Sequence, residues 1–364
     1  MYRSIFLLPA IVLCTATGLF SAKYNDRMVS MGNLNNQHST EIKKPSLSNR
    51  VQMLEDQMIE NSVESQNPNS GYINFEFLYW RENQTLWNCA NVQDIINNQG
   101  VLANIIGKPE WKPGGRIEIG FTTGLNWNVS AMWTYHYNKS HSHYSNENGL
   151  IGENFFLATE ASSVFKTNYN IGDLQLSSLF SVLKNLFIKP YIGAQGAWIK
   201  YTQDNKYSGV YPDIVHANNG TKPSIDKWYG VGPSFGMTGY FNFGKSGLSF
   251  FGGASTALLY GNEKQKVKYV VLSLHTGSTS EIRIAQSSHQ LKAHLQLLVG
   301  ADFKWKFDQE RKALSLHAAW ETNYWWHLGE KAPLLIIGEG FTGLPAPQED
   351  LSLYGINVGI GFDY

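Results

Sequence analysis

Near the C-terminal end, Ser315, His317, Glu321 and Asn323 have the types and spacing of a hydrolytic site. In an extended chain alternate residues share a face, so this spacing lines up a hydroxyl, an imidazole and a carboxylate. A serine nucleophile needs a base to take its proton and an acid to orient that base. No independent nucleophile motif accompanies the four residues. Similar polar residues recur on every such face of the chain, which is the composition of a hydrated wall, so no enzymatic activity is expected. His136, His141 and His143 would hold a metal only if carboxylates converged on them, and no cysteines flank them; neither metal nor cofactor is expected. Of the two cysteines, Cys14 lies in the leading apolar segment and Cys89 remains, as a buried or free thiol or as a link to another chain.

A second set of residues suggests electrostatic work. Arg116, Glu118, Lys292, Asp302 and Lys304 each sit between apolar neighbours in alternating segments. In residues 291–305 one face carries Leu291, Ala293, Leu295, Leu297, Val299, Ala301, Phe303 and Trp305, and the other Lys292, His294, Gln296, Gly300, Asp302 and Lys304. Burying such a polar face unpaired would be costly, so it is expected to line a watery lumen while the apolar face meets lipid. Opposed charges of both signs there would set up a transverse field and give weak ion preference, since a strong filter needs a ring of one sign.

The elements that position these residues are strands. Alternation runs through residues 72–80, 116–122, 127–137, 291–305, 313–327 and 351–364, and further strands are expected around 164–171, 188–201, 228–240 and 248–260. In the last segment Tyr354, Ile356, Val358, Ile360, Phe362 and Tyr364 share one face, opposite glycines, Asn357 and Asp363. Polar stretches at 83–112, 138–153, 203–227 and 339–350 are expected to be loops, and 263–288 either a strand pair or an inserted hairpin. Counting about ten residues per spanning strand, residues 71–364 accommodate roughly 12–14 strands of an all-β antiparallel transmembrane barrel.

Composition agrees with a barrel. Charged residues make up only 16% of the chain, below the roughly one quarter of soluble domains, while aromatic residues reach 13% with 11 Trp, enough for two interfacial girdles. Lys plus Arg equals Asp plus Glu at 29 each, which removes the electrostatic case for nucleic acid. Past the N-terminus no apolar run reaches the roughly 18 residues of a spanning helix. Residues 1–22, with Arg3 before the apolar run 5–13, have the pattern of an export signal. Residues 23–45 are polar and Asn-rich, as in a flexible linker. Leu47, Val51, Leu54 and Met58 then give residues 46–67 the stripe of a short amphipathic helix. The stripe is narrow enough for a coiled-coil seam; the alternatives are a trimeric periplasmic bundle and a helix folded against the barrel mouth.

Several stretches in order resemble one family: FEFLYWRENQTLW from Phe75, KPGGRIEIGF from Lys112, KPYIGAQGAWIKY from Lys189, WYGVGPSFGM from Trp228, FGGASTALLYG from Phe251 and AAWETNYWW from Ala318. They are similar to the Legionella-type pore-forming outer-membrane proteins and the major outer-membrane-protein-like porins of environmental chlamydiae. The resemblance implies a passive diffusion pore for small hydrophilic solutes in the bacterial outer membrane, and a homotrimer. The aromatic C-terminal strand from Tyr354 to Tyr364 resembles the signal read by the barrel assembly machinery, although it ends on Tyr where Phe is usual. Outer-membrane lipids and lipopolysaccharide are the expected surroundings. The alternative is a plugged, non-conducting barrel acting as an adhesin or a structural component of the envelope.

Overall fold

The structure, a computed structural model, describes residues 70–364 apart from 85–87, 95–98, 107–109, 124–126, 146–149, 154–155, 210–217, 245, 274–276, 308–311 and 331–347. The export signal, linker and amphipathic helix expected before residue 68 lie outside the described residues. Ten long strands carry the fold: β1 (Gly71–Gln84), β4 (Trp111–Thr122), β5 (Trp127–Ser145), β8 (Glu160–Ser178), β10 (Leu186–Ser208), β11 (Asn218–Asn242), β12 (Leu248–Ser273), β13 (Thr279–Phe307), β14 (Lys312–Glu330) and β15 (Gln348–Asp363). Five short ones accompany them: β2 (Asn88–Asp94), β3 (Gln99–Ile106), β6 (Leu150–Glu153), β7 (Phe156–Ala158) and β9 (Phe180–Leu183).

Each long strand pairs antiparallel with the next, and β15 pairs back onto β1, so the ring closes without an edge. At the seam Gly71 and Tyr364 exchange two backbone hydrogen bonds of 2.9 Å. The short strands β3, β2, β6 and β7 lie side by side and join the ring where Leu157 faces Asn218 of β11, while β9 folds back on β10.

The barrel is as expected, but ten strands close it, fewer than the 12–14 obtained from chain length. Every alternating segment of the sequence became one strand, and several run far past the membrane: β11, β12 and β13 have 25, 26 and 29 residues. A division by ten residues per span therefore overcounts. The region 263–288 is the outer end of the β12–β13 pair, in register from Glu263 opposite Ser288 to Leu272 opposite Thr279. Parts of the polar stretches at 83–112, 138–153 and 203–227 are likewise strand, because beyond the membrane both faces are polar and alternation fades.

Strand ends separated by only a few residues, such as Thr122 and Trp127, Asn242 and Leu248, and Phe307 and Lys312, gather at the end that holds Gly71 and Tyr364, and those separated by more lie at the other. In outer-membrane barrels these are the periplasmic and extracellular ends respectively. Outward faces are apolar through the middle, with Phe75, Phe77, Ile192, Val231, Val299 and Val358 exposed to what would be lipid. Aromatic groups band both ends of that surface. On the extracellular side Trp111 packs within 6.3 Å of Tyr79, Trp320 and Tyr354, and Trp133 lies 5.6 Å from Trp198. On the periplasmic side Phe243 packs against Phe241 and Phe250, and Phe362 against Phe307 and Tyr364.

Candidate functional site in the barrel lumen

Inward positions of β1, β8, β10, β11, β12, β14 and β15 place Leu78, Trp80, Tyr169, Ile199, Trp228, Leu259, Trp325 and Leu353 in one buried cluster. A row of rings within it crosses the lumen: Trp80 lies 6.4 Å from Tyr169, Tyr169 6.3 Å from Trp325, and Trp325 5.7 Å from Trp228. None of the four is more than 1% exposed. The Trp325 indole N–H donates to the Tyr169 hydroxyl at 3.2 Å, and His294 stacks on Trp325 at 4.2 Å. A ring of ten strands is only slightly wider than the eight-stranded barrels whose interiors side chains fill. Four large aromatic residues fill inward positions at this level.

Beside the ring row lies a charged network. Arg116 of β4 donates two parallel hydrogen bonds to Glu321 of β14, at 2.9 and 2.7 Å, the bidentate geometry that strengthens such pairs. It also donates to Glu76 of β1 at 3.0 Å and to Thr134 of β5 at 2.9 Å, with its guanidinium carbon 5.7 Å from the Trp80 ring. Glu321 accepts further bonds from Gln296 at 2.6 Å, Asn323 at 2.8 Å and Asn357, and Asn357 in turn accepts the Trp80 indole N–H at 2.7 Å. Through His294, Gln195 and Asp173 the network reaches β10 and β8. Such satisfaction is what makes a buried charge tolerable.

Lys292 is handled similarly nearer the extracellular end. Its ammonium donates to Glu263 at 2.8 Å and to the carbonyls of Leu328 at 3.2 Å and His327. Those carbonyls are available because β14 is irregular there: pairing with β15 shifts register between Trp325 and Gly329, and His327 has a φ of 53°. A left-handed backbone at a residue with a Cβ is costly, so it persists only where its surroundings enforce it. Asp350 accepts the His327 backbone N–H at 2.9 Å and the Tyr324 hydroxyl.

The five charged residues singled out in the sequence all sit on inward faces, in different surroundings. Arg116 and Lys292 are sealed in ion pairs, their side chains 7% and 0% exposed. Glu118 accepts the Tyr72 hydroxyl at 2.7 Å and the Asn74 amide at 3.2 Å. Asp302 and Lys304 lie toward the periplasmic end, where Lys304 is 39% exposed and pairs with Asp363 at 2.5 Å. A uniformly watery lumen is therefore not what the structure has: side chains toward its periplasmic end are partly exposed and its middle is packed. The glycines of β15 help that packing. A Cβ on Gly359 would come within 2.4 Å of the His317 ring and 2.9 Å of the Glu76 side chain.

The hydrolytic constellation is not assembled. Glu321 is committed to Arg116, and His317 turns instead to Glu76 at 3.5 Å. His136 is buried against the Lys112 carbonyl at 3.2 Å, while His141 and His143 project outward from the wall, so the three histidines do not converge. The apolar ring row escaped the sequence reading although its signal was there. Leu78, Trp80 and Trp325 are large apolar residues on faces otherwise polar. The Arg116–Glu321 pair, 205 residues apart, left no local trace.

Fold, girdles and closure define a transmembrane β-barrel of the bacterial outer membrane. A sequence profile described as the Legionella pneumophila major outer membrane protein precursor matches residues 66–364, and the chain belongs to that family. No curated protein matches it. Among solved structures it is similar to the outer membrane protease OmpT from Escherichia coli, at 9% identity over 84% of this chain and 99% of that one, with a TM-score of 0.43. It is also similar to the translocator domain of the autotransporter NalP from Neisseria meningitidis, at 12% identity over 86% and 95%, TM-score 0.30. A third is the attachment invasion locus protein Ail of Yersinia pestis, at 10% identity over 82% and 99%, TM-score 0.22.

Proposed function

We propose that this protein is a non-conducting, non-enzymatic outer-membrane barrel that serves the envelope as a structural and surface-displayed component. The observation that carries this reading is the buried ring row from Trp80 to Trp228, which spans the lumen beside a saturated charge network. An ion passing this level would have to displace rings and enter an apolar layer, at a desolvation cost no transverse field of mixed sign repays. The test is conductance of the refolded chain in a planar bilayer. Unmodified protein is expected to give no discrete steps, and a Trp80→Ala/Trp325→Ala variant to give them.

A second reading, a passive diffusion channel for small hydrophilic solutes and ions with weak charge selectivity, is favoured by the partly exposed pair of Lys304 and Asp363 toward the periplasmic end. It requires the ring row to move. Steps from unmodified protein, with a reversal potential shifted by Lys304→Glu, would establish it and remove the first.

A further inference from the structure

Outward-facing positions just above the extracellular girdle carry lysines on five neighbouring strands: Lys139 of β5, Lys166 of β8, Lys200 of β10, Lys227 of β11 and Lys264 of β12. They are set against one another. Lys139 pairs in register with Lys166, Lys200 with Lys227, and Lys227 with Lys264, while Lys166 and Lys200 are diagonal neighbours across β8 and β10. Directly opposed residues have Cβ atoms about 5 Å apart, and like charges there are destabilising. Among the described residues none of the five is in an ion pair. Lys264 lies over the Tyr229 ring, at 5.7 Å.

The same wall does pair its charges farther out. There Lys268 meets Glu281 at 3.1 Å across the strands and Arg283 meets it from two residues along β13, and these two bonds hold the Glu281 carboxyl below its ordinary value. The stripe is thus left open where a counter-charge could have been supplied by one substitution. Beside it the wall is concave. A hollow of ≈ 420 Å³ is lined by Lys139, His141, Lys166 and Lys206, with Asp204 as its one acid.

Height decides what the stripe faces. Lys139, Lys200 and Lys227 each lie two residues beyond a girdle aromatic, Tyr137, Trp198 and Tyr229, which is about 7 Å along a strand. Aromatic belts mark the level of lipid headgroups, so this cationic band stands at or just above the headgroups of the outer leaflet. The lysines do not continue onto β13, β14 and β15: Ser287 stands opposite Lys264, and the positions two residues beyond Trp320 and Tyr354 are Thr322 and Ser352, while on β1 Arg81 lies two residues beyond Tyr79. We propose that the β5–β12 side of the barrel is a binding site for the phosphorylated headgroup of an outer-leaflet glycolipid, held by the opposed lysines and seated in the adjoining hollow. The site is independent of whether the lumen conducts.

The test uses the full chain refolded in phosphatidylcholine nanodiscs doped with a diphosphorylated glucosamine-disaccharide lipid, or with the same lipid stripped of both phosphates. Retained lipid is counted by native mass spectrometry. Unmodified protein is expected to keep the phosphorylated lipid in preference, and K200Q/K227Q to keep roughly thirtyfold less of it. K184Q/K312Q, which removes the same charge at the periplasmic end, is expected to keep as much as unmodified protein, and K200R/K227R likewise. Inorganic phosphate is not expected to displace the lipid. Equal retention of the two lipids, undiminished retention by folded K200Q/K227Q, or displacement by inorganic phosphate, which would make the stripe a site for free anions, each overturns the proposal.

Discussion

Charges inside this barrel and charges outside it follow opposite rules. In the lumen Arg116 meets Glu321 and Glu76, and Lys292 meets Glu263, every pair drawn from different strands and closed at folding. On the outer wall Lys139 faces Lys166, and Lys227 is flanked by Lys200 and Lys264, so like meets like. The packed middle of the lumen has little solvent to screen an error, and an unpaired ion there costs several kcal/mol. At the wall, water and salt screen repulsion, and the field is left for something outside the chain to answer. The charges in the middle of the lumen are answered within the chain, and those of the lysine stripe are not.

This contrast can be broken from the inside first. Arg116→Met strands Glu321 and Glu76 without their cation and is expected to cost about 3–5 kcal/mol, read as a lower urea midpoint for the folded chain in vesicles. Adding Glu321→Leu is expected to restore part of the loss, because the more buried of the two stranded carboxylates goes with it; no recovery would mean that Arg116 acts through packing on Trp80 alone. Trp325→Ala should cost about 3–4 kcal/mol through the cavity it leaves, visible as an earlier loss of the heat-modifiable gel band. Gly359→Val pushes a side chain into the His317–Glu76 contact and is expected to cost about 1–3 kcal/mol by overpacking. The smallest effect has the opposite sign. Lys227→Glu turns two repulsions into attractions and is expected to stabilise the detergent-solubilised protein by about 0.5 kcal/mol, a gain that high salt abolishes.

Much of the fold could be seen in the chain because a membrane forces one face of each strand to declare itself. All ten ring strands coincide with segments whose apolar residues alternate, from residues 72–80 to 351–364. What could not be seen lies where that pressure stops. Lys264, Lys266 and Lys268 alternate with Glu263, Gln265 and Val267, polar beside mostly polar, so the outer end of β12 looks like a loop although it is continuous strand. The lumen was hidden for a different reason. Alternation says which residues face inward but not which will meet across the barrel, and Arg116 finds Glu321 only once the ring has closed. The lysine stripe was equally out of reach, since its members lie far apart along the chain and become a row through register alone.

The bridge from β4 to β14 also has a mechanical side. A closed sheet is stiff along its strands, but its cross-section can flatten into an oval when neighbouring proteins crowd it or the bilayer is stretched. Arg116 ties two separated staves together, with Glu76 and Thr134 anchoring the same guanidinium to two more. It works as a chord under the arc β14-β15-β1-β4: flattening that arc must stretch it, and tightening the curve must compress it. That arc of the wall resists bending more than its strand-to-strand hydrogen bonds alone would allow.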